Sequence, residues 1–90
     1  MNNKIILGSL ALDLQRVATG YHGGSPRMAE RFYKEVLMRI HELDSRSVKP
    51  YLRKHLRSII ELEKQPNIQK KAEDALMYST IVQNYCLTYE

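Results

Sequence analysis

Apolar residues recur at helical spacing in four segments of the 90-residue chain, and groups of helix-breaking residues separate the segments. In the second segment, residues 26–43, Met28, Phe32, Val36 and Ile40 follow one another every four positions. This spacing places them on one face of an α-helix, with most of the charged residues on the opposite face. The pattern therefore predicts an amphipathic helix.

The other three segments follow the same period less strictly. Residues 48–64 carry an apolar stripe that includes Ile60, with Tyr51 and His55 at one margin and Pro50 tolerated in the first turn. The fourth segment runs from Asn67, which can cap a helix, to near the end of the sequence and carries a seam of mostly small side chains. Residues 4–19 also fit a helix, although Gly8 weakens one and the stretch KIILGSLAL resembles a strand. Because no other segment alternates as a partner strand would, we predict a helix there too. The members of the seam are Ile68, Ala72, Ala75, Ser79, Val82 and Cys86, with Leu76 and three tyrosines widening it.

Four helices with short connections predict an all-α fold, which is either a compact four-helix bundle or two packed helical hairpins, in a single domain of residues 1–90. Several apolar residues fall outside the predicted buried faces. They are Ile5, Leu12, Met38, Met77 and Ile81. A single bundle would leave several of them exposed, and exposed apolar patches mark contact surfaces. We therefore expect a homodimer or larger assembly through helices one and four, with Met77, Ile81 and Tyr85 in the contact.

Composition narrows the class of protein. An apolar content of 43% and a charged content of 27% are typical of a globular chain rather than a disordered one. The single cysteine, Cys86, excludes an intramolecular disulfide and favours a reducing, cytoplasmic location. The longest apolar run is too short to span a bilayer, so we expect no membrane association.

The glycine-rich stretch ATGYHGGSPRM, residues 18–28, fits a connection between two helices. Gly20 is predicted to end the first helix in a left-handed conformation, Ser25 to cap the second, and Pro26 to occupy its first turn. The alternative is a ligand or active site in which free N–H groups bind an anion with help from His22 and Arg27. We favour the connection, since the stretch has no lysine and follows a helix rather than a strand.

The strongest charge feature is RSVKPYLRKHLR, residues 46–57, which contains five Lys or Arg and no acid. On a helix, Lys49, Arg53 and Arg57 line up at four-residue spacing and Lys54 lies one position round. We call these four residues the basic face. Most of these cations lie near the N-terminal end of their helix, where they oppose the helix macrodipole, so helix stability does not explain them.

Three explanations of the basic face remain open. The first is compensation by Glu42 and Asp44, which end the preceding helix. The second is an acidic partner surface, either the acidic end of helix four in the same chain or another protein copy. The third is nucleic acid, whose phosphates would meet the cations. Exposed aromatic residues along the basic face would favour this third explanation.

Candidates for catalysis or cofactor binding are weak. The three histidines, His22, His41 and His55, are far apart, and the chain has neither a cysteine pair nor a histidine motif for metal. Cys86 falls in the small-residue seam, which suggests packing. Asp13 lies beside an apolar face with Arg16 three residues on, which indicates an ion pair or, alternatively, a buried acid.

The sequence therefore predicts a small non-enzymatic interaction or regulatory protein that uses no cofactor and self-associates. The alternative function is a nucleic-acid-binding module that uses the basic face of helix three.

Overall fold

The computed structural model describes residues 2–90, and these residues form four α-helices joined by short connections. The helices are α1 (Asn3–His22), α2 (Pro26–Glu42), α3 (Pro50–Ile60) and α4 (Ile68–Tyr89), with short 3-10 helices at Ser45–Ser47 and Glu61–Lys64. They pack as a four-helix bundle, which confirms the all-α prediction. Within residues 2–90, no helix combines the length and the apolar character needed to cross a membrane.

Helix α1 lies at the centre of the packing, with α2 and α4 against it. Its side chains Leu7, Leu10, Leu14 and Val17 are completely buried and join one core cluster with residues of the other three helices. Because other helices cover α1 on several sides, apolar residues occur around much of its circumference. This is why part of its sequence resembles a strand. The helix prediction for this segment is confirmed.

The connection between α1 and α2 differs from the prediction in two respects, the role of Gly20 and the cap at Ser25. Gly20 does not end α1 but is buried inside it, and the helix continues to His22. A Cβ at Gly20 would lie only 2.7 Å from the backbone nitrogen of Ala29, so the close contact with α2 requires a glycine there. The left-handed residue is Gly24, with a φ of 76°. Ser25 occupies the N-cap position but makes no capping hydrogen bond, whereas Pro26 lies in the first turn as predicted.

Helix α3 is shorter than the predicted segment 48–64. It begins at Pro50 after the N-cap residue Lys49, because residues 45–47 form a separate 3-10 turn that the Asp44 side chain caps. At the other end, the Tyr33 hydroxyl of α2 lies 2.8 Å from the carbonyl oxygens of Ile59 and of the residue after it. This buried tyrosine therefore fixes the C-terminal end of α3 against α2.

Helix α4 begins where the sequence predicts it. The Asn67 side chain accepts a hydrogen bond of 2.9 Å from the backbone N–H of Lys70, so the predicted cap is confirmed. The seam from Ala72 to Val82 is buried, but Ile68 is half exposed because the buried part of α4 begins only at Ala72. Leu76 and, on α3, Ile60 lie at the edges of their helix faces and are also largely exposed.

Candidate functional site

A surface groove runs along the contact between α1 and α4. The Ser79 hydroxyl donates a 2.7 Å hydrogen bond to the Ala11 carbonyl oxygen, and the Cys86 thiol lies 3.5 Å from the Lys4 carbonyl oxygen. Because side chains at the contact are small, the two helices approach closely and leave a groove of about 320 Å³ between their outer faces. Its lining residues are Gly8, Ala11, Leu12, Gln15, Ser79, Gln83, Cys86 and Leu87.

The rims of this groove are apolar and exposed. Leu12 is 46% exposed and Leu87 is 78% exposed. Ile5 lies seven residues before Leu12, and Leu76 eleven before Leu87, so helical periodicity places each on the same outer face as the leucine that follows it. Both are exposed as well. We call Ile5, Leu12, Leu76, Gln83 and Leu87 the α1–α4 surface.

The α1–α4 surface lies in charge-free sequence. Residues 5–12 and residues 75–89 contain no Asp, Glu, Lys or Arg, although the chain as a whole carries a net charge of +4. The residues that line the groove are therefore all uncharged, and the cation nearest to Leu12 along α1 is Arg16, one turn later, whose side chain is 47% exposed. The arrangement suits an uncharged, apolar partner surface.

Met77 and Ile81, which the sequence places in the predicted contact, lie on the other edge of α4. Met77 is exposed, as predicted for a residue off the buried face, whereas Ile81 is partly covered. Neither lines the groove against α1. Tyr85 is only 3% exposed, and its hydroxyl accepts a hydrogen bond of 2.9 Å from the backbone N–H of Lys49. Tyr85 therefore belongs to the core and supports the start of α3.

The four cations of the basic face have no acidic partner in the described part of the chain. Three of them are exposed, and the fourth, Arg53, is half-buried and donates to the backbone carbonyl of Ser45. The neighbouring acids pair elsewhere, since Asp44 contacts Arg46 and Glu42 contacts Arg39. Glu42 and Asp44 therefore form no direct ion pair with the basic face, so the ion pairs do not support the first of the three explanations. The acids at the start of α4 do not compensate it either, and Asp74 pairs with Lys70.

A row of aromatic rings lies beside the basic face, between the start of α3 and the end of α4. Tyr51 packs edge-on against His55 at 5.1 Å and stacks on Tyr85 at 6.5 Å between ring centroids. Tyr85 in turn contacts Tyr89 at 4.9 Å, and the Lys49 ammonium lies 4.9 Å from the centre of the Tyr89 ring.

The outer rings of this row are accessible. Tyr51 is 54% exposed and Tyr89 is 52% exposed. With Asn84, Tyr85 and Thr88 they line a shallow depression of about 260 Å³. The apolar period placed Tyr51 at the margin of a stripe and gave no link between Tyr51 and the basic face. The available signal was its position three residues before Lys54, because side chains three apart lie on the same side of a helix.

The remaining candidates for catalysis or ligand binding are a buried carboxylate and two residues beside the glycine loop. Asp13 is buried between α1 and α2 and pairs with Arg16 at 3.3 Å and with Arg39 at 3.8 Å, so the predicted ion pair and the buried acid are the same group. Burial raises the pKa of Asp13, and the two arginines partly offset this rise. His22 and Arg27, which flank the glycine loop, are both exposed.

Within residues 2–90, no three His, Cys, Asp or Glu side chains come close enough together to hold a metal ion. Comparison of the chain with protein-family models, with curated proteins and with solved structures finds no match. The surface features that could contact a partner are the α1–α4 surface, the basic face and the aromatic row.

Proposed function

We propose that this protein is a small non-enzymatic interaction protein that self-associates through the α1–α4 surface. The observation that carries the proposal is the exposure of Leu12 and Leu87 on the rims of one uncharged groove. Burial of such side chains against a second copy releases about 25 cal/mol for each Å² of apolar surface removed from water. A two-fold symmetric contact suits this surface, since it presents the same uncharged face to its own copy.

The proposal is tested by the mass of the protein in solution. Sedimentation or light scattering at micromolar concentration is expected to show a dimer or larger species for the unmodified chain. The double variant Leu12→Glu/Leu87→Glu is expected to be monomeric, since each contact would bury four unpaired carboxylates in a dimer.

The matched control is Met38→Glu/Met77→Glu, which adds the same charge at two exposed methionines that do not line the groove. This control is expected to remain associated. If the control dissociates while the Leu12/Leu87 variant stays associated, the contact lies instead at the Met77 and Ile81 edge of α4. A monomeric unmodified chain would contradict self-association altogether.

A second contact face is supported by the unpaired cations of the basic face. Their side chains meet no carboxylate within the described residues, and they partly oppose the α3 macrodipole. We propose that the basic face binds an anionic macromolecule.

Retention on immobilised heparin is expected to fall strongly in Arg53→Glu/Arg57→Glu. The control Arg27→Glu/Lys34→Glu, with the same charge change on exposed residues of α2, is expected to lose much less. Equal losses in both variants would indicate net charge alone.

A further inference from the structure

We infer that the basic face and the aromatic row together bind single-stranded nucleic acid, with bases stacked on Tyr51 and Tyr89 and phosphates held by Lys49, Lys54 and their neighbours. The inference rests on the second proposed contact face and names the chemistry of its partner. Proteins that bind single strands combine a cationic track with aromatic side chains on which successive bases stack. Both elements meet here at the start of α3.

The rings are held in place from below. Tyr85 is buried, lies between Tyr51 and Tyr89, and contacts both of their rings. Its hydroxyl also accepts from the backbone N–H of Lys49, which fixes the residue that places its ammonium over Tyr89. The two exposed rings are thereby supported on a rigid base, so that stacking of a nucleotide requires little further ordering of the protein.

The polar groups around the rings suit a nucleotide better than an acidic peptide. Asn84 and Thr88 line the depression with the tyrosines and provide neutral hydrogen-bonding groups for base edges. An acidic peptide would engage the cations through its carboxylates, whereas every nucleotide of a single strand also supplies an aromatic ring for the exposed faces of Tyr51 and Tyr89. A duplex would present phosphates but keep its bases stacked inside. Unpaired bases with phosphates match both halves of the surface.

This surface is separate from the α1–α4 surface. Leu87 and Tyr89 are two residues apart on α4, so about 200° of helical rotation separates their side chains. A second protein copy on the Leu87 side therefore leaves the tyrosine side open. Nucleic-acid binding does not depend on the outcome of the self-association experiment.

The test measures binding of a fluorescein-labelled oligothymidylate of about 12 nucleotides by fluorescence anisotropy. The unmodified protein is expected to bind it more tightly than a duplex of equal length. With four phosphates neutralised by the basic face, affinity is expected to fall roughly 50-fold between about 50 and 200 mM salt. Failure to bind the oligonucleotide at the lower salt concentration, or equal affinity for the duplex, would overturn the inference.

Ring substitutions separate stacking from charge. Tyr51→Leu/Tyr89→Leu is expected to weaken oligonucleotide binding by about tenfold or more, because leucine has no aromatic face. Tyr51→Phe/Tyr89→Phe is expected to bind within about twofold of the unmodified protein, since phenylalanine keeps that face. Neither pair should change retention on heparin, which has no bases. If the leucine variant binds the oligonucleotide as well as the phenylalanine variant, the stacking inference is wrong, while the anionic contact face still stands on the heparin result.

A direct readout requires no variant. The chain has six tyrosines and no tryptophan, so its intrinsic emission comes from tyrosine. Bases that stack on Tyr51 and Tyr89 are expected to quench part of this emission as the oligonucleotide saturates, and heparin is expected to leave it unchanged. Saturation without quenching would contradict stacking. Loss of both oligonucleotide and heparin binding would contradict the basic face as a contact surface as well.

Discussion

Gly20 shows how one missing side chain sets the distance between two helices. A Cβ at this position would lie 2.9 Å from both the Cα and the Cβ of Ala29, which is too close for either backbone to accommodate without moving. Ala is favoured over Gly inside a helix by about 1 kcal/mol, but here overlap with the α2 backbone outweighs that gain.

We expect Gly20→Ala to lower the free energy of unfolding by about 1–3 kcal/mol. The matched control is Gly8→Ala, also in α1, where an added Cβ meets no atom within 4 Å. It is expected to raise the free energy of unfolding by about 0.5–1 kcal/mol. Urea unfolding of both, in the Leu12→Glu/Leu87→Glu background so that association does not contribute, gives the comparison. A stabilising Gly20→Ala would contradict the close contact.

The Tyr33 hydroxyl gives the molecule a dependence on alkaline pH. Burial, together with the nearby carboxylates of Glu63 and Glu61, raises the pKa of Tyr33 to about 12. In the unfolded chain the pKa is about 10, so above pH 10 the unfolded state loses this proton before the folded state does. Stability from the buried neutral hydroxyl is therefore complete below pH 10 and is lost as the pH rises towards 12.

We expect the free energy of unfolding to fall by at most about 2–3 kcal/mol from Tyr33 between pH 10 and 12. Tyr33→Phe removes this titration and, at neutral pH, costs about 1–2 kcal/mol through the lost hydrogen bond to the end of α3. Urea unfolding of the unmodified protein and of Tyr33→Phe at pH 9 and 11 separates the contribution of Tyr33 to the pH dependence from that of other groups. Parallel pH profiles for the two proteins would show that the hydroxyl is not responsible.

At the scale of helices, a capping side chain marks the start of one helix and a proline marks the start of another. Asn67 caps α4 through a hydrogen bond to the Lys70 N–H, whereas Ser25 precedes α2 without one. Helix α2 instead begins with Pro26, whose fixed φ angle suits the first turn. The N-cap residue therefore contributes a hydrogen bond to the start of α4 but none to the start of α2.

We expect Asn67→Ala to lower the free energy of unfolding by about 1 kcal/mol, which is typical for loss of a capping side chain. Ser25→Ala is the matched control and should change it by only a few tenths of a kcal/mol, because no hydrogen bond is lost. Thermal and urea unfolding would measure both. Equal effects at the two positions would mean that intrinsic cap preference, rather than the hydrogen bond, determines stability.

At the scale of the whole molecule, the two proposed contact surfaces, one apolar and one charged, occupy different sides of one small bundle. Copies with a net charge of +4 repel one another in solution, and the proposed self-association places between them stretches of α1 and α4 that contain no charged residue. The basic face lies on α3, and the aromatic row lies between the start of α3 and the side of α4 that carries Tyr85 and Tyr89. Salt is therefore expected to weaken the proposed nucleic-acid contact without weakening the proposed self-association.

We expect self-association to be unchanged or stronger when salt rises from about 50 to 200 mM, since salt screens the repulsion between copies. Sedimentation equilibrium at the two salt concentrations measures this. Over the same range, oligonucleotide binding is expected to weaken. Dissociation of the assembly at the higher salt concentration would show that ion pairs, rather than apolar burial, hold the copies together.

The sequence by itself determined the helices, their order and most of their ends. The four-residue repeat of α2, Pro26 and Pro50 in first turns and Asn67 before α4 act within a few residues of themselves, so a local pattern is sufficient to predict them. Exposure of Ile5, Leu12, Met38 and Met77 also followed from the pattern, because a helix cannot turn both of its faces towards one core.

Only the tertiary structure decided which residues of different helices lie next to one another in space. Gly20 is needed as a contact point because Ala29 of another helix lies against it, and Tyr85 is core because α3 covers it. The basic face lacks acidic partners because Glu42 and Asp44 turn to other arginines. These outcomes depend on distances between separate helices, which the period of a single helix does not contain.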